Sequence, residues 1–398
     1  MGEGRPRPTP RKSSGLLRYD RRNVASPSKT IRATTASADY RITIGPGLLE
    51  TLHPRLVKLS AGKPFRPFLI TSPEIWKLWS EQVRVSFPEA QSPTVLFVPS
   101  GEKFKRLKTV ESLSEQLAMA GADRDALLLA FGGGVVGDIT GFLAAIYMRG
   151  VPFVQLPTTL LAQVDSSVGG KTGVNLAVGK NLIGSFHQPR AVFADVELLS
   201  TLPNDQLRSG MQEAVKTAII RDVKFFTYIE QNKHLLLERK REALQRVVAE
   251  AVKIKAAIVA ADEREGGLRM LLNFGHTLGH AIEAATGYKV LLHGEAVAWG
   301  SIAALHLSQA RGVITSEQFA RMANLIFAFG PLPRFKVEAR RLIEASATDK
   351  KNRAGHRAFV LPTAIGAAEV VHDVTDAELQ TAAEAMLGDM RAATRKAR

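Results

Sequence analysis

The chain of 398 residues contains no cysteine. That absence excludes disulfides, thiolate zinc clusters and a cysteine nucleophile, so any metal must be held by histidine and carboxylate ligands. No apolar stretch approaches the ~18 residues a membrane span requires, and no signal-peptide core is found. We expect a soluble, cytoplasmic protein. With 45% hydrophobic and 23% charged residues over this length, the chain can bury substantial cores, and two domains are the ordinary expectation.

The net charge of +15 is unevenly spread. Nine Lys/Arg against Glu3 and Asp20 place +7 of it in residues 1–36. With four prolines and little apolar content, that extension lacks the surface to offset ordering entropy and is expected to be disordered. A solvated tail is the bland reading, and an Arg-rich transit peptide is another. Nucleic-acid contact is disfavoured, because Tyr19 alone is available to stack on bases.

From Asp39, short apolar runs bounded by turn residues alternate with helical patterns such as Leu107 to Ala120. The runs are "YRITIGPG", "FRPFLITSPE", "TVLFVPSGE", "ALLLAFGGG", "VPFVQLPTT" and "AVFADVELL". This alternation predicts a mostly parallel, Rossmann-like sheet covered by helices. Beyond "LSTLPNDQL" the pattern turns helical, from Arg208 to about Phe329, with one short hairpin in "RAFVLPTAIGAAEVV" and a last helix from Asp376. The predicted organisation is a basic extension (1–36), an α/β domain (37–205) and a helical domain (206–398).

In "AFGGGVVGDITGFLAA" a buried strand runs through three glycines into a helix. Bare N–H groups and the positive helix end there suit a pyrophosphate, although tight strand-to-helix packing explains such a turn equally well. A second segment, Val164 to Gly184, sets Asp165, Lys171, Lys180 and Asn181 among glycines. It reads as a loop without a core of its own that cradles an anion.

Three histidines, His276, His280 and His293, accompany Glu213 and Lys216, which lie three apart on one helix face. A lone histidine on an apolar face is more often a satisfied core residue. Two histidines with a carboxylate, however, form a hard ligand set that commonly leaves zinc an open position. "HTLGH" lacks the glutamate of the metalloprotease "HExxH", which argues against a protease. Arg269 and Asn273, seven and three residues before His276, together with Lys255, add cationic and amide groups. Such a pocket suits an anionic, hydroxylated substrate.

From about Tyr40 to about Glu378 these residues resemble the 3-dehydroquinate synthase family. The motifs are "PSGEKFK", "GGGVVGD", "LPTTLLAQVDSSVGGKTGVN", "GKNLIGSFHQP", "QEAVK", "DEREGGLRMLLNFGHTLGHAIE", "LHGEAVA" and "DKKNRAG", in the family's order. The resemblance implies an NAD-binding α/β domain followed by a helical metal domain. It implies zinc or cobalt on Glu213, His276 and His293, with His280 contacting substrate instead. NAD contacts would be Ser100, Gly101, Glu102, Lys103, Phe104 and Lys105; Gly134, Val135, Val136, Gly137 and Asp138; Thr158 and Thr159; Lys171 and Lys180; and Leu198, Leu199, Ser200 and Thr201. Asp165, Lys171, Asn181, Lys216, Lys255, Arg269 and Asn273 would surround the substrate, with Lys350 or Lys351 and a neighbouring subunit's Arg149. A homodimer is therefore also implied.

The implied reaction converts 3-deoxy-D-arabino-heptulosonate 7-phosphate to 3-dehydroquinate, the second step of the shikimate pathway. It proceeds by transient oxidation with NAD, phosphate elimination, reduction and aldol closure. "EAVKTA" departs from the "EVIKYG" often found in the family, but Thr217 and Ala218 lie beside the implied contacts. The alternatives are sugar phosphate cyclases forming epi-valiolone or deoxy-inosose, a metal-dependent alcohol dehydrogenase, and an inactive binding protein.

Overall fold

The computed structural model of the chain describes residues 27–347 and 358–395. Its first half alternates strand and helix: β1 (Lys29–Thr34), β2 (Asp39–Gly45), α1 (Leu52–Ser60), β3 (Arg66–Thr71), α2 (Pro73–Ser86), β4 (Thr94–Phe97), α3 (Leu107–Met119), β5 (Ala126–Gly132), α4 (Gly134–Ile146), β6 (Phe153–Pro157), β7 (Lys171–Leu176), β8 (Gly179–Phe186) and β9 (Ala191–Asp195). Seven strands form one sheet in the order β1-β2-β9-β6-β5-β3-β4, parallel except where β1 meets β2. Each of the six apolar runs singled out in the sequence is one of its strands. β5, β6 and β9 are buried at every position, as expected of strands covered on both faces. Side chains of α3 and α4 cover one face through Val110, Leu113, Ile139 and Leu143. On the other, Leu52 and Leu56 of α1 and Val83 of α2 pack against Leu69, Leu129 and Val154.

The second half is helical: α5 (Asn204–Arg221), α6 (Val223–Leu237), α7 (Arg241–Ala261), α8 (His276–Ala285), α9 (His293–Ala310), α10 (Ser316–Ala328) and α11 (Ala339–Ala347). The hairpin of β10 (Phe359–Ala364) and β11 (Ala367–Val371) follows, and then α12 (Asp376–Arg395). Helix α5 is buried at every position from Ser209 to Ile220, so it is the axis about which the others pack. Ile42, Ile44, Val192 and Ala194 of the sheet share a core with Met211, Val215, Val248 and Val252 of α5 and α7. The α/β and helical parts therefore have continuous hydrophobic packing between them.

Two sequence expectations require correction. Residues 29–34, inside the extension expected to be disordered, form β1, with Ile31 opposite Ile42 and Ala33 opposite Tyr40. Ala33 is buried and the Gln245 amide of α7 donates to the Pro27 carbonyl at 2.9 Å. A segment too poor in apolar residues to fold alone is ordered here by an existing strand edge. The rest of the extension, residues 1–26, lies outside the described residues. Secondly, the segment read as a coreless loop is a hairpin, β7 paired antiparallel with β8. Val174 is fully buried in the core formed with α3 and α4, and Thr172 fits over Gly141, where a Cβ would overlap its methyl group. The glycines that weaken the apolar pattern allow this close approach.

Similar packing sets the spacing of α8 and α9. A Cβ on Gly300 would overlap the Gly275 carbonyl and stand 2.6 Å from the Gly279 amide nitrogen. We expect Gly300→Ala to force the two helices apart and lower stability by about 1–3 kcal/mol, the usual range for overpacking. Thermal and denaturant unfolding would measure the effect, and an unchanged stability would contradict the packing argument.

Candidate active site

The parallel strands direct their carboxyl ends toward one crevice, the usual ligand position in open α/β sheets. Ser100–Lys105 follow β4, Gly134–Asp138 follow β5, Thr158 and Thr159 follow β6, and Leu198–Thr201 follow β9. The amino end of α4 has no side-chain cap, so its first-turn N–H groups are available to an anion. Glycine there also has a packing role, since a Cβ on Gly137 would lie 2.8 Å from Gln155 Oε1. The packing reading of this turn therefore holds, and the bare helix end is compatible with the anion reading. Leu198 and Leu199 are buried in separate cores, which leaves mainly backbone for a ligand to meet.

The hairpin joins the crevice to the helical half. Lys105 Nζ bridges Asp138 Oδ2 and Asn181 Oδ1, each at 2.5 Å. Asn181 adopts a left-handed backbone, φ 52°, and its N–H donates to Asn175 Oδ1 at 2.8 Å. Asn175 in turn donates to Glu102 Oε1 at 2.7 Å. One carboxamide thus ties the turn of the hairpin to the "PSGEKFK" segment. Lys180 Nζ meets Glu283 Oε1 at 3.0 Å, and Lys171 pairs with Glu265, which also accepts from Asn273 Nδ2 at 3.0 Å.

Deeper in, Glu213 is only 1% exposed and is ion-paired with Lys216 on the next turn of α5. Its Oε1 accepts no hydrogen bond among the described residues, yet it lies 3.7 Å from His293 Nε2 and 3.9 Å from His276 Nε2. Tetrahedral zinc with bonds of about 2.0–2.2 Å separates its ligands by roughly 3.3–3.5 Å, so the donor set fits a divalent cation. The His276 Nδ1 contact with the Phe274 carbonyl at 3.0 Å leaves Nε2 directed inward. Burial disfavours a charged His293, but Glu283 and Glu213 outweigh it and raise the imidazolium pKa. This part of the site favours positive charge.

Asp165 stands on a π-helical turn, Ala162–Ser166, and Lys255 donates to both its Oδ1 and its carbonyl at 2.7 Å. Burial alone would raise the Asp165 carboxyl. Lys255, then Lys216, nevertheless hold it well below its ordinary range. Burial pushes Lys255 downward. The asymmetry follows from the neighbours: Asp165 faces two lysines, whereas Lys255 faces one carboxylate with Arg269 and Lys216 close by. Lys216 is raised, because Glu213 and Asp165 overcome its burial. Burial lowers Lys171 and Arg269. Arg269 donates to the Gly169 carbonyl at 3.0 Å and also to the Glu263 carbonyl.

The fold thus gathers the sequence-selected residues, apart from Arg149 and Lys350/Lys351. Arg149 follows the far end of α4, about 20 Å from Gly134 at 1.5 Å per residue, in a left-handed turn with φ 66°. Lys350 and Lys351 lie outside the described residues. Sequence reasoning passed over Glu265, Asn175 and Glu283. Only Glu283 carried a signal, seven residues beyond His276 and so on the same helix face.

Replacing Lys255 by Ala should leave Asp165 without its nearest counter-charge and lower stability by about 3 kcal/mol, as for other broken buried pairs. Because the folded-state pKa of Asp165 is depressed, its contribution is present above the ordinary value of 3.8 and fades as pH falls through the lower folded value. The deficit of Lys255→Ala relative to wild type should therefore shrink on acidification below about 3.8 in denaturant titrations.

This geometry has close relatives. Residues 95–209 match the 3-dehydroquinate synthase N-terminal family and residues 210–352 its C-terminal family. The 3-dehydroquinate synthase of Solibacter usitatus strain Ellin6076 is 47% identical over 316 residues, 79% of this chain and 88% of the relative. Among solved structures, the 2-epi-5-epi-valiolone synthase of Streptomyces hygroscopicus subsp. jinggangensis 5008, with NAD+ and Zn2+ bound, superimposes with TM-score 0.80 at 28% identity, covering 89% of this chain and 99% of that one. A 2-deoxy-scyllo-inosose synthase complexed with carbaglucose-6-phosphate, NAD+ and Co2+ gives TM-score 0.78 at 26% identity, with 89% and 98% covered. Two consecutive family matches spanning more than half the chain, reinforced by a relative of this identity and coverage, show that the chain belongs to the 3-dehydroquinate synthase family.

Proposed function

We propose that this protein converts 3-deoxy-D-arabino-heptulosonate 7-phosphate to 3-dehydroquinate and phosphate. It would act as a cytoplasmic homodimer that binds NAD and a zinc or cobalt ion. The observation that carries the reading is a His/His/Glu donor set joined to a buried charge network of Lys216, Asp165 and Lys255 with Arg269 close by, in a fold that also presents an uncapped helix end beyond a parallel strand. Family membership supports it.

Bound NAD would supply reversible oxidation of a secondary alcohol, and the metal would polarise its oxygen. Glu213, His276 and His293 would hold the metal, while Lys216 offsets the charge of Glu213. The crevice segments would bind NAD, with Lys105 and Lys180 at its hairpin side. Lys171 and Asn181 would grip the phosphate as it leaves. Arg269 has N–H groups beyond those given to Gly169 and Glu263, and can hold the carboxylate with Asn273. Glu265 joins Lys171 to Asn273, so it fixes the spacing between phosphate-side and carboxylate-side groups. Asp165 orients Lys255, and His280 stands beside both ligand histidines, with ring centroids 5.4 and 6.0 Å away.

The solved relatives favour one second reading, cyclisation of a sugar phosphate without a carboxylate. Identification of the product decides between the two. With substoichiometric NAD, the heptulosonate phosphate should release one equivalent of phosphate without net NADH. Net NADH would indicate a dehydrogenase. His293→Ala should reduce turnover about 10³-fold or more, since metal polarisation is worth several kcal/mol, and should lose metal while keeping its circular dichroism. Full metal occupancy in that variant would sink the ligand assignment.

The location of Arg149, away from its own crevice, supports a contribution to the partner's site. Arg149→Ala and Lys171→Ala homodimers should each be nearly inactive. A mixed dimer would then contain one doubly defective and one intact site. Random exchange of equal amounts should restore roughly a quarter of native activity. Parental activity despite demonstrated exchange of tagged subunits would refute a shared site.

A further inference from the structure

We infer that Glu283 is a positioning residue of the metal centre, holding the His293 ring from behind and tying it to Lys180 of the hairpin. The inference rests on the assignment of Glu213, His276 and His293 to the metal given above.

Two sets of potential donors share His293: Glu213, His276 and His293, and His280, Glu283 and His293. The two carboxylates are not equivalent. Glu213 Oε1 is buried and accepts no hydrogen bond among the described residues. Glu283, only 4% exposed, has both oxygens engaged, Oε1 by Lys180 Nζ at 3.0 Å and Oε2 by His293 Nδ1 at 3.4 Å. An oxygen that already has partners is a poor ligand, whereas an uncommitted one facing two imidazoles is a good one. The metal therefore belongs with Glu213, and Glu283 lies on the opposite side of the His293 ring.

With a metal on Nε2, this arrangement selects one tautomer. His293 has Nε2 toward Glu213 and Nδ1 toward Glu283, so a proton on Nδ1 is donated to the carboxylate and the Nε2 lone pair points inward. Such a partner fixes ring orientation and raises ligand basicity. His276 is held in the same sense by the Phe274 carbonyl, a backbone group that a substitution there would not remove. The corresponding support for His293 is a side chain and can be deleted. Lys180, whose ammonium also lies 4.3 Å from the centroid of the Tyr288 ring, balances the buried carboxylate. Through it, the hairpin and the metal ligand are linked by one residue.

The test is zinc affinity by chelator competition for wild type, Glu283→Ala, Glu283→Gln and Glu213→Ala, with visible absorption of the cobalt forms and circular dichroism as a check on folding. We expect Glu283→Ala to bind zinc about 10- to 100-fold more weakly with the cobalt bands of an unchanged ligand set. Glu283→Gln, which keeps an oxygen for Nδ1, should fall between it and wild type. Glu213→Ala should lose binding altogether. Wild-type affinity in both Glu283 variants would overturn the inference. So would loss of binding in Glu283→Ala as complete as in Glu213→Ala, because Glu283 would then be a ligand. If Glu283→Ala does not fold, the Gln variant decides: wild-type affinity or an altered ligand spectrum refutes the role. Failure of wild type to bind a stoichiometric metal, or retention of full affinity by Glu213→Ala, would instead overturn the underlying metal assignment and the inference with it.

Discussion

A carboxylate almost without water contact, Glu213, stands on a helix that is buried at every position from Ser209 to Ile220. Removing such a charge from water carries a penalty of several kcal/mol unless partners compensate. Lys216 gives that compensation on one side, and the two imidazole nitrogens line the other. Lys216 is buried in turn and is also stabilised by Asp165, which is held by Lys255. A chain of alternating charges thus runs from α5 through the π-helical turn to α7. Its members are satisfied only together, and the same arrangement gathers the cations that would receive a phosphorylated acid.

The glycines serve this network indirectly. Without side chains at Gly275, Gly279 and Gly300, α8 and α9 approach closely enough for His276 and His293 to face one carboxylate. Gly141 likewise lets α4 receive Thr172, which sets the hairpin carrying Lys171, Lys180 and Asn181 along the crevice. Close backbone packing and electrostatic satisfaction therefore support each other. The sheet places the four segments expected to meet NAD beyond the carboxyl ends of its parallel strands.

Much of this architecture could be read from residue order alone. Six parallel-sheet strands showed themselves as apolar runs between turn residues, because burial on both faces removes polar positions. The hairpin at Phe359–Val371 and the last helix from Asp376 were equally legible. Glu213, His276 and His293 were recognisable as a donor set because cysteine is absent and the motifs around them are specific. Strand β1 and the hairpin β7–β8 were missed, since each is ordered by contacts distant in sequence: a strand edge for the first, α4 for the second.

What the sequence determined was therefore the inventory: the strands and helices whose patterns are local, the family, and the residue types able to bind metal and phosphate. What only the tertiary structure decided was their pairing. Nothing in the spacing of Glu213, His276 and His293 says which nitrogen faces the carboxylate, that Glu265 joins Lys171 to Asn273, or that Glu283 stands behind His293 and meets Lys180 across 103 residues of chain. Those relations depend on how closely helices approach and on which buried charges are compensated, and both are set by the packing of segments far apart in the chain.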